Sequence, residues 1–146
     1  MKAVLQRVSQ ASVSVNNERV GSIDHGLLLL VGVHEEDTEE QMQWLANKIL
    51  RLRIFDDEAG KMNLSVQDID GDILVVSQFT LYGDYEKGNR PSYMKAANPD
   101  KAKKLYEQMI RFFQDQSELK VQSGSFGAYM DVELNNDGPV TLVLER

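Results

Sequence analysis

Leu27-Leu28-Leu29-Leu30-Val31-Gly32-Val33 is the longest apolar run in the chain, and apolar and polar residues do not alternate along it. A strand with one wet face alternates with period two, so this run reads as a strand buried on both faces. A strand of that kind must be covered above and below, which places the chain among layered folds. The run is too short to cross a bilayer. Gly26 marks a turn just before it, and residues 3–8, 12–15 and 19–23 read as further strands, with Asn16-Asn17 as a tight hairpin turn.

Downstream, Thr38 with Gln41 makes a capping box, and Met42, Leu45, Ile49 and Leu52 recur at helical spacing, predicting an amphipathic helix over 39–52 with Trp44 off its stripe. A short strand at 53–55, a turn-rich stretch through Gly60 and a mostly apolar strand at 73–77 follow. Asn98-Pro99 opens a second helix, whose inner face is Ala102, Leu105, Tyr106, Met109 and Phe113 and which ends near Gln116. Strands at 119–123, 130–134 and 140–144 complete the pattern. Many strands with two helices predict an α/β fold, a three-layer β/β/α sandwich with the helices on one face, in a single domain spanning 1–146. The helices lie far apart in sequence, so no regular βαβ alternation is expected.

Composition narrows the chemistry. There is no cysteine, which removes disulfides, thiolate nucleophiles and Cys-type zinc sites, and the cytoplasm is the simplest compartment. No signal segment or membrane partner is expected. The 16 basic and 23 acidic residues give a net charge of −7, which argues against a broad polyanion-binding surface. Residues 87–104 are the exception, with Lys87, Arg90, Lys95, Lys101, Lys103 and Lys104 against Asp100, a balance of +5 that leaves −12 elsewhere. This island is either a solvated helix face or a place to hold a few phosphates.

The two histidines, His25 and His34, lack the context of a catalytic triad, and His34-Glu35-Glu36 lacks the spacing of a helical zinc motif, so no metal or cofactor is expected. Ser123-Gly124-Ser125-Phe126-Gly127 departs from a nucleophile elbow at its first position, and its glycines fit close backbone approach. Asp56-Asp57 and Glu35-Glu36 read as loop charges. Ser77-Gln78-Phe79-Thr80-Leu81-Tyr82-Gly83-Asp84 is more informative, because a buried strand runs directly into hydroxyls, an amide and an aromatic. Either Ser77 and Thr80 satisfy backbone groups while Phe79 fills core, or the segment walls a site. Finally, Asn136-Asp137-Gly138-Pro139-Val140-Thr141 places a Gly-Pro pair between two strand-like runs and reads as a rigid hairpin tip that is short of donors.

Met1 to Val8 with its Gln6-Arg7-Val8, the segment Ser77-Gln78-Phe79-Thr80-Leu81, Lys87-Gly88-Asn89-Arg90-Pro91-Ser92 and Asn136-Asp137-Gly138-Pro139-Val140-Thr141 together resemble the D-aminoacyl-tRNA deacylase family. The resemblance implies a homodimeric cytoplasmic editing enzyme that hydrolyses the ester between a D-amino acid, or mischarged glycine, and the acceptor end of tRNA. It implies a cis Gly138-Pro139 peptide that enters the partner subunit's pocket as a chiral filter, with Arg7 holding that segment inward. Ser77, Gln78, Phe79 and Thr80 match the pocket wall and oxyanion region. Catalysis is then assisted by the ribose 2′-hydroxyl, with Thr80 as a secondary nucleophile or water-orienting group. Phosphate contacts are expected from a confined patch including Lys87, Arg90 and Lys95. Tyr93 and Asn135 depart from common family residues. Two other functions fit the residues: a serine or threonine esterase for small acyl esters using Ser77, Thr80 or Ser125, and an RNA-binding module without catalysis.

Overall fold

The computed structural model describes residues 1–146. The elements run β1 (Lys2–Val15), β2 (Glu18–Ile23), β3 (Gly26–Gly32), α1 (Glu39–Arg51), β4 (Phe55–Asp56), β5 (Met62–Leu64), β6 (Asp72–Ser77), a 3₁₀ turn (Phe79–Tyr82), α2 (Pro99–Gln116), β7 (Val121–Ser123) and β8 (Asp131–Glu145). The main sheet has the order β2-β1-β3-β6-β7, with β8 also paired to β1, while β4 and β5 form a separate hairpin.

β3, β6 and β7 are parallel neighbours. Each adjacent pair is joined through one helix, so α1 and α2 are the crossovers of two successive βαβ units. This corrects the expectation of no such alternation. The β4–β5 hairpin and the long segment before α2 stretch the units and hide them in the sequence. Crossovers advancing in one direction with one hand place both helices on the same face. α1 starts as expected: the Thr38 hydroxyl accepts the Glu40 N–H, and the Gln41 side chain accepts the Thr38 N–H at 2.9 Å. Asn98 caps α2 by accepting the Lys101 N–H at 3.0 Å.

The apolar run splits between two cores, as burial on both faces requires. Leu27, Leu29 and Val31 join Leu45, Ile49, Met109 and Phe113 under the helices, whereas Leu28 joins Val8, Ala11, Val13, Ile23, Leu74 and Val76 on the other side. The second core is closed by β2 and by the far halves of β1 and β8. A Cβ on Gly21 of β2 would lie 2.9 Å from the Ser123 carbonyl oxygen, so β2 packs directly over the β6–β7 region. The result is a β/β/α sandwich that curls toward a barrel.

β1 belongs to both β layers. Its first half pairs with β3, Lys2 opposite Gly32 through Val8 opposite Gly26, and its second half pairs with β2 from Ala11 to Val15. It is one bent strand where the sequence predicts two. β8 follows it along its whole length, so the predicted hairpin at Asn136–Thr141 does not form. The chain does not reverse, because both flanking runs find the same partner in β1. Between Gln6 opposite Thr141 and Val8 opposite Asn136, β1 advances two residues and β8 five, so Asp137, Gly138 and Pro139 bulge out.

Strand contact is tightest at Gly26, where an added Cβ would sit 2.0 Å from the Asp72 carbonyl oxygen. Gly26→Ala is expected to force β3 and β6 apart and lower unfolding free energy by about 1–3 kcal/mol, measured by urea denaturation. An unchanged midpoint would contradict the packing described.

Candidate active site

At the C-terminal ends of β3 and β6 a cleft of about 710 Å³ opens, walled by Val31, Val33, Val76 and Ser77, by Gln78, Phe79 and Thr80 of the following turn, by Tyr93, Ala96, Ala97, Pro99, Ala102 and Tyr106 from the α2 side, and by residues 126–130. The Gln78 N–H donates to the Val31 carbonyl at 2.7 Å, which pins the chain as it leaves β6. The turn that follows is tight: Leu81 N–H returns to Gln78 and Gly83 N–H to Thr80. The first N–H groups of such a turn, those of Phe79 and Thr80, have no acceptor inside it and are free to serve a ligand. The Gln78 side-chain amide donates to the Thr80 hydroxyl and fixes its orientation.

Phe79 is 58% exposed and meets the Tyr93 ring edge-on at 5.1 Å, so it forms part of the cleft rim and fills no core. Tyr106, predicted only as an inner-face helix residue, stands in the cleft wall and donates its hydroxyl to the Val75 carbonyl at 2.8 Å. Burial pushes that hydroxyl up to about 12, so it remains a neutral donor at physiological pH. Ser125 is exposed and does not line the cleft, and neither histidine does. His34 meets Tyr82 at a tilt of 56° and His25 meets Phe55 edge-on. Ser77 and Thr80 therefore face the cleft without an imidazole base beside them.

The Gly138-Pro139 bulge lies outside this cleft. Its peptide is cis, Gly138 has φ +114°, and both residues are exposed. Arg7, 6% exposed, reaches it from β1: Nη1 donates to the Ile54 carbonyl at 2.8 Å, and Nε lies 3.0 Å from Asp137 Oδ2, close enough for an ion pair but without hydrogen-bond alignment. Asp56, read from sequence as a loop charge, stands 3.5 Å from Arg7 Nη1. A Cβ on Gly138 would lie 3.1 Å from Arg7 Nη2, so the guanidinium packs directly against the bulge.

Asn136 closes the bulge at its base, a role that sequence reading did not assign. Its Nδ2 donates to the carbonyls of Arg7 at 3.0 Å and Val140 at 3.1 Å, which flank the bulge on the two strands. Its Oδ1 accepts from Thr141 Oγ1 at 3.0 Å and Gln6 Nε2 at 3.3 Å. Every hydrogen-bonding position of the amide is thus used where the strand ladder is interrupted. Outside the cleft, Lys95 lies 3.3 Å from Asp84 in an exposed ion pair.

Asn136→Ala is expected to cost about 1–3 kcal/mol of unfolding free energy, since two carbonyls lose their donor. Asn136→Asp, equal in size but without the donor, should do no better. Recovery of wild-type stability by the aspartate would show that the donor is not what closes the bulge.

The family described as D-Tyr-tRNA(Tyr) deacylase matches residues 4–145 of the chain. A D-aminoacyl-tRNA deacylase of Thermosipho melanesiensis is 59% identical over 145 residues, 99% of this chain and 97% of that protein. One of Halalkalibacterium halodurans is 58% identical over 99% of each chain. Among solved structures, one described as c-Myc DNA Unwinding Element Binding Protein superposes with a TM-score of 0.95 at 42% identity, covering 100% of this chain and 99% of its own. A second, described as a probable eukaryotic D-amino acid tRNA deacylase, shares the fold with a TM-score of 0.84 at 21% identity, covering 98% of this chain and 97% of its own. Matched along nearly its whole length, this chain belongs to the D-Tyr-tRNA(Tyr) deacylase family of ester hydrolases.

Proposed function

We propose that two copies of this chain form a cytoplasmic editing enzyme that hydrolyses D-aminoacyl-tRNA and glycine mischarged on tRNA, and leaves L-aminoacyl-tRNA intact. The observation that carries this reading is a separation of parts. The cleft holds donors and a fixed hydroxyl but no base, while the exposed, anchored Gly138-Pro139 bulge does not line it. A second subunit can bring the bulge to the cleft.

In this arrangement the ester carbonyl lies against the N–H groups of Phe79 and Thr80. Water attacks the carbonyl carbon, the oxyanion forms opposite those donors, and the bond to the ribose oxygen breaks as that oxygen gains a proton. The neighbouring 2′-hydroxyl of the substrate relays the proton, a task for which the cleft offers no histidine. One well-placed donor lowers such a barrier by about 2.7–4 kcal/mol, and orientation of the ester and the water supplies more. Ser77 and Gln78 position the wall, and the Thr80 hydroxyl orients the water. The partner's Gly138 and Pro139, held by Arg7, stand where an L side chain would project. Exclusion by a wall rejects a side chain of the wrong hand but cannot reject glycine, which has none.

The likeness to a DNA unwinding element binding protein favours a second reading, nucleic-acid binding without hydrolysis. Incubation with D-Tyr-tRNA, L-Tyr-tRNA and Gly-tRNA separates the two. The editing reading expects rapid release of D-tyrosine and glycine, with L-tyrosine retained, and binding without release of any amino acid would overturn it. A 2′-deoxy terminus is expected to slow D-tyrosine release by about 10²–10⁴-fold, the usual contribution of a proton relay. Thr80→Ala should retain measurable turnover, and an aminoacyl-Thr80 adduct detected by mass spectrometry would replace substrate assistance with a covalent route.

A further inference from the structure

The β4–β5 hairpin belongs to neither β layer of the sandwich, yet it is built to hold its shape. Phe55 is buried and roots it in the helical core. At its tip the Asp57 carboxylate accepts the Ala59 and Lys61 N–H groups at 2.9 and 3.0 Å, and the Asp57 N–H donates to the Lys61 carbonyl at 2.8 Å. Between Phe55 opposite Leu64 and Asp56 opposite Met62, β4 advances one residue and β5 two, so Asn63 is a one-residue bulge. Arg53 Nε donates to the Asn63 carbonyl at 2.8 Å and fixes it. A bulge of this kind re-aims the side chains beside it, and here the residue beside it is Asp56.

Asp56 stands against Arg7. The guanidinium is buried, so its charge needs a counterion close by, and two carboxylates supply one. Asp137, on the Gly-Pro bulge itself, lies 3.0 Å from Nε, whereas Asp56, on the hairpin, lies 3.5 Å from Nη1. The Ile54 carbonyl, two residues before Asp56, accepts from the same Nη1 at 2.8 Å. Nη2 is left against Gly138. One acid therefore moves with the segment that Arg7 holds, and the other belongs to a rigid frame outside it. Without Asp56 the buried charge falls to Asp137 alone, which draws the guanidinium and the bulge together and shifts both.

We propose that Asp56 is a positioning residue for chiral selection: by sharing the Arg7 charge with Asp137, it sets where the Gly138-Pro139 wall stands in the partner subunit's cleft. The proposal rests on the reading of the bulge as the selecting wall and adds the residue that fixes the wall's position. Asp56 does not line the cleft, so it acts on the reaction only through Arg7 and the bulge. A displaced wall admits the side chain it should exclude, while the donors at Phe79 and Thr80 stay in place. Glycine has no side chain to exclude, so its hydrolysis should not register the shift.

Asp56→Asn keeps the size of the side chain and removes its charge. With kcat/KM measured on three substrates, it is expected to raise L-Tyr-tRNA hydrolysis roughly three- to tenfold, between the contributions of an exposed and a buried ion pair, and to leave D-Tyr-tRNA and Gly-tRNA within about twofold of wild type. Glu58→Gln removes the same charge from the same hairpin at an exposed residue that is in no ion pair, and should leave all three rates near those of wild type. An unchanged L-Tyr-tRNA rate in Asp56→Asn, or an equal rise in Glu58→Gln, would overturn the proposal. So would a parallel loss on all three substrates with a lowered urea midpoint, which would give Asp56 a structural role only. Wild-type protein that hydrolyses L-Tyr-tRNA as fast as D-Tyr-tRNA, or neither, would instead remove the reading of the bulge as a selecting wall, and this proposal with it.

Discussion

The structure depends on a problem of parity at the bend of β1 and β8. A strand shows alternate residues to opposite faces, so folding one strand from the helix-backed sheet into the second β layer exchanges the face that meets a core. In the first half of β1 the residues under the helices are Ala3 and Leu5, and in the second half Ala11 and Val13 face the other core. Unbroken alternation would have put Gln10 and Ser12 there. Ser9 is the extra residue, since β1 advances from Val8 to Gln10 while β8 moves only from Asn136 to Asn135. β8 has the same problem, with Val140, Leu142 and Leu144 packed on the helical core and Val132 and Leu134 on the other. It solves it with three extra residues, also an odd number, and those residues carry the Gly-Pro pair.

The bulge is therefore a consequence of closing the sandwich before it is anything else. A one-residue bulge would have restored parity in β8 at lower cost in unpaired backbone. The larger one leaves polar groups that must be satisfied; Asn136 takes the flanking Arg7 and Val140 carbonyls, and the Arg7 guanidinium packs against Gly138 beside the Asp137 carboxylate. A rigid, exposed, donor-poor segment is thereby held out from the body of the sheet. Only its anchoring separates it from an ordinary irregular loop.

Local signals survived from sequence to structure, and non-local ones did not. Thr38 with Gln41, and Asn98 with Pro99, fix helix starts through neighbours three residues away, and both were legible. Both faces of Leu27–Val31 were correctly read as buried because composition alone demands it. Asp137-Gly138-Pro139 has sound turn chemistry, yet whether a turn reverses the chain depends on which strand it pairs with, and β1 lies 130 positions away. The βαβ units were hidden for the same reason, because parallel pairing is decided across long inserts. In the site, Ser77 to Thr80 was legible as polar residues at the end of a buried strand. Tyr106 and the 126–130 lip were not, because helix and loop residues join a cleft only through tertiary packing. Asp56 and Asp137 acquire meaning only once Arg7 is seen between them.

The separation of bulge and cleft bears on how selectivity and chemistry are divided. In a single chain, a selecting wall beside its own catalytic donors could be altered only by disturbing the turn at Phe79 and Thr80. Under the proposed function the wall is built on β8 and anchored by β1, whereas the donors are built on the end of β6, so the two can vary independently. Under the proposed dimer, each cleft is complete only when a second copy supplies the wall. Correct folding of one protomer then sets the geometry of the other's site. Arg7, through its contacts with Gly138, Asp137 and Ile54, would act on selection in its partner while leaving the donors of its own cleft unmoved. Disturbing the Arg7 anchor and disturbing the Gln78–Thr80 turn should therefore have different consequences, loss of discrimination in the first case and loss of rate in the second.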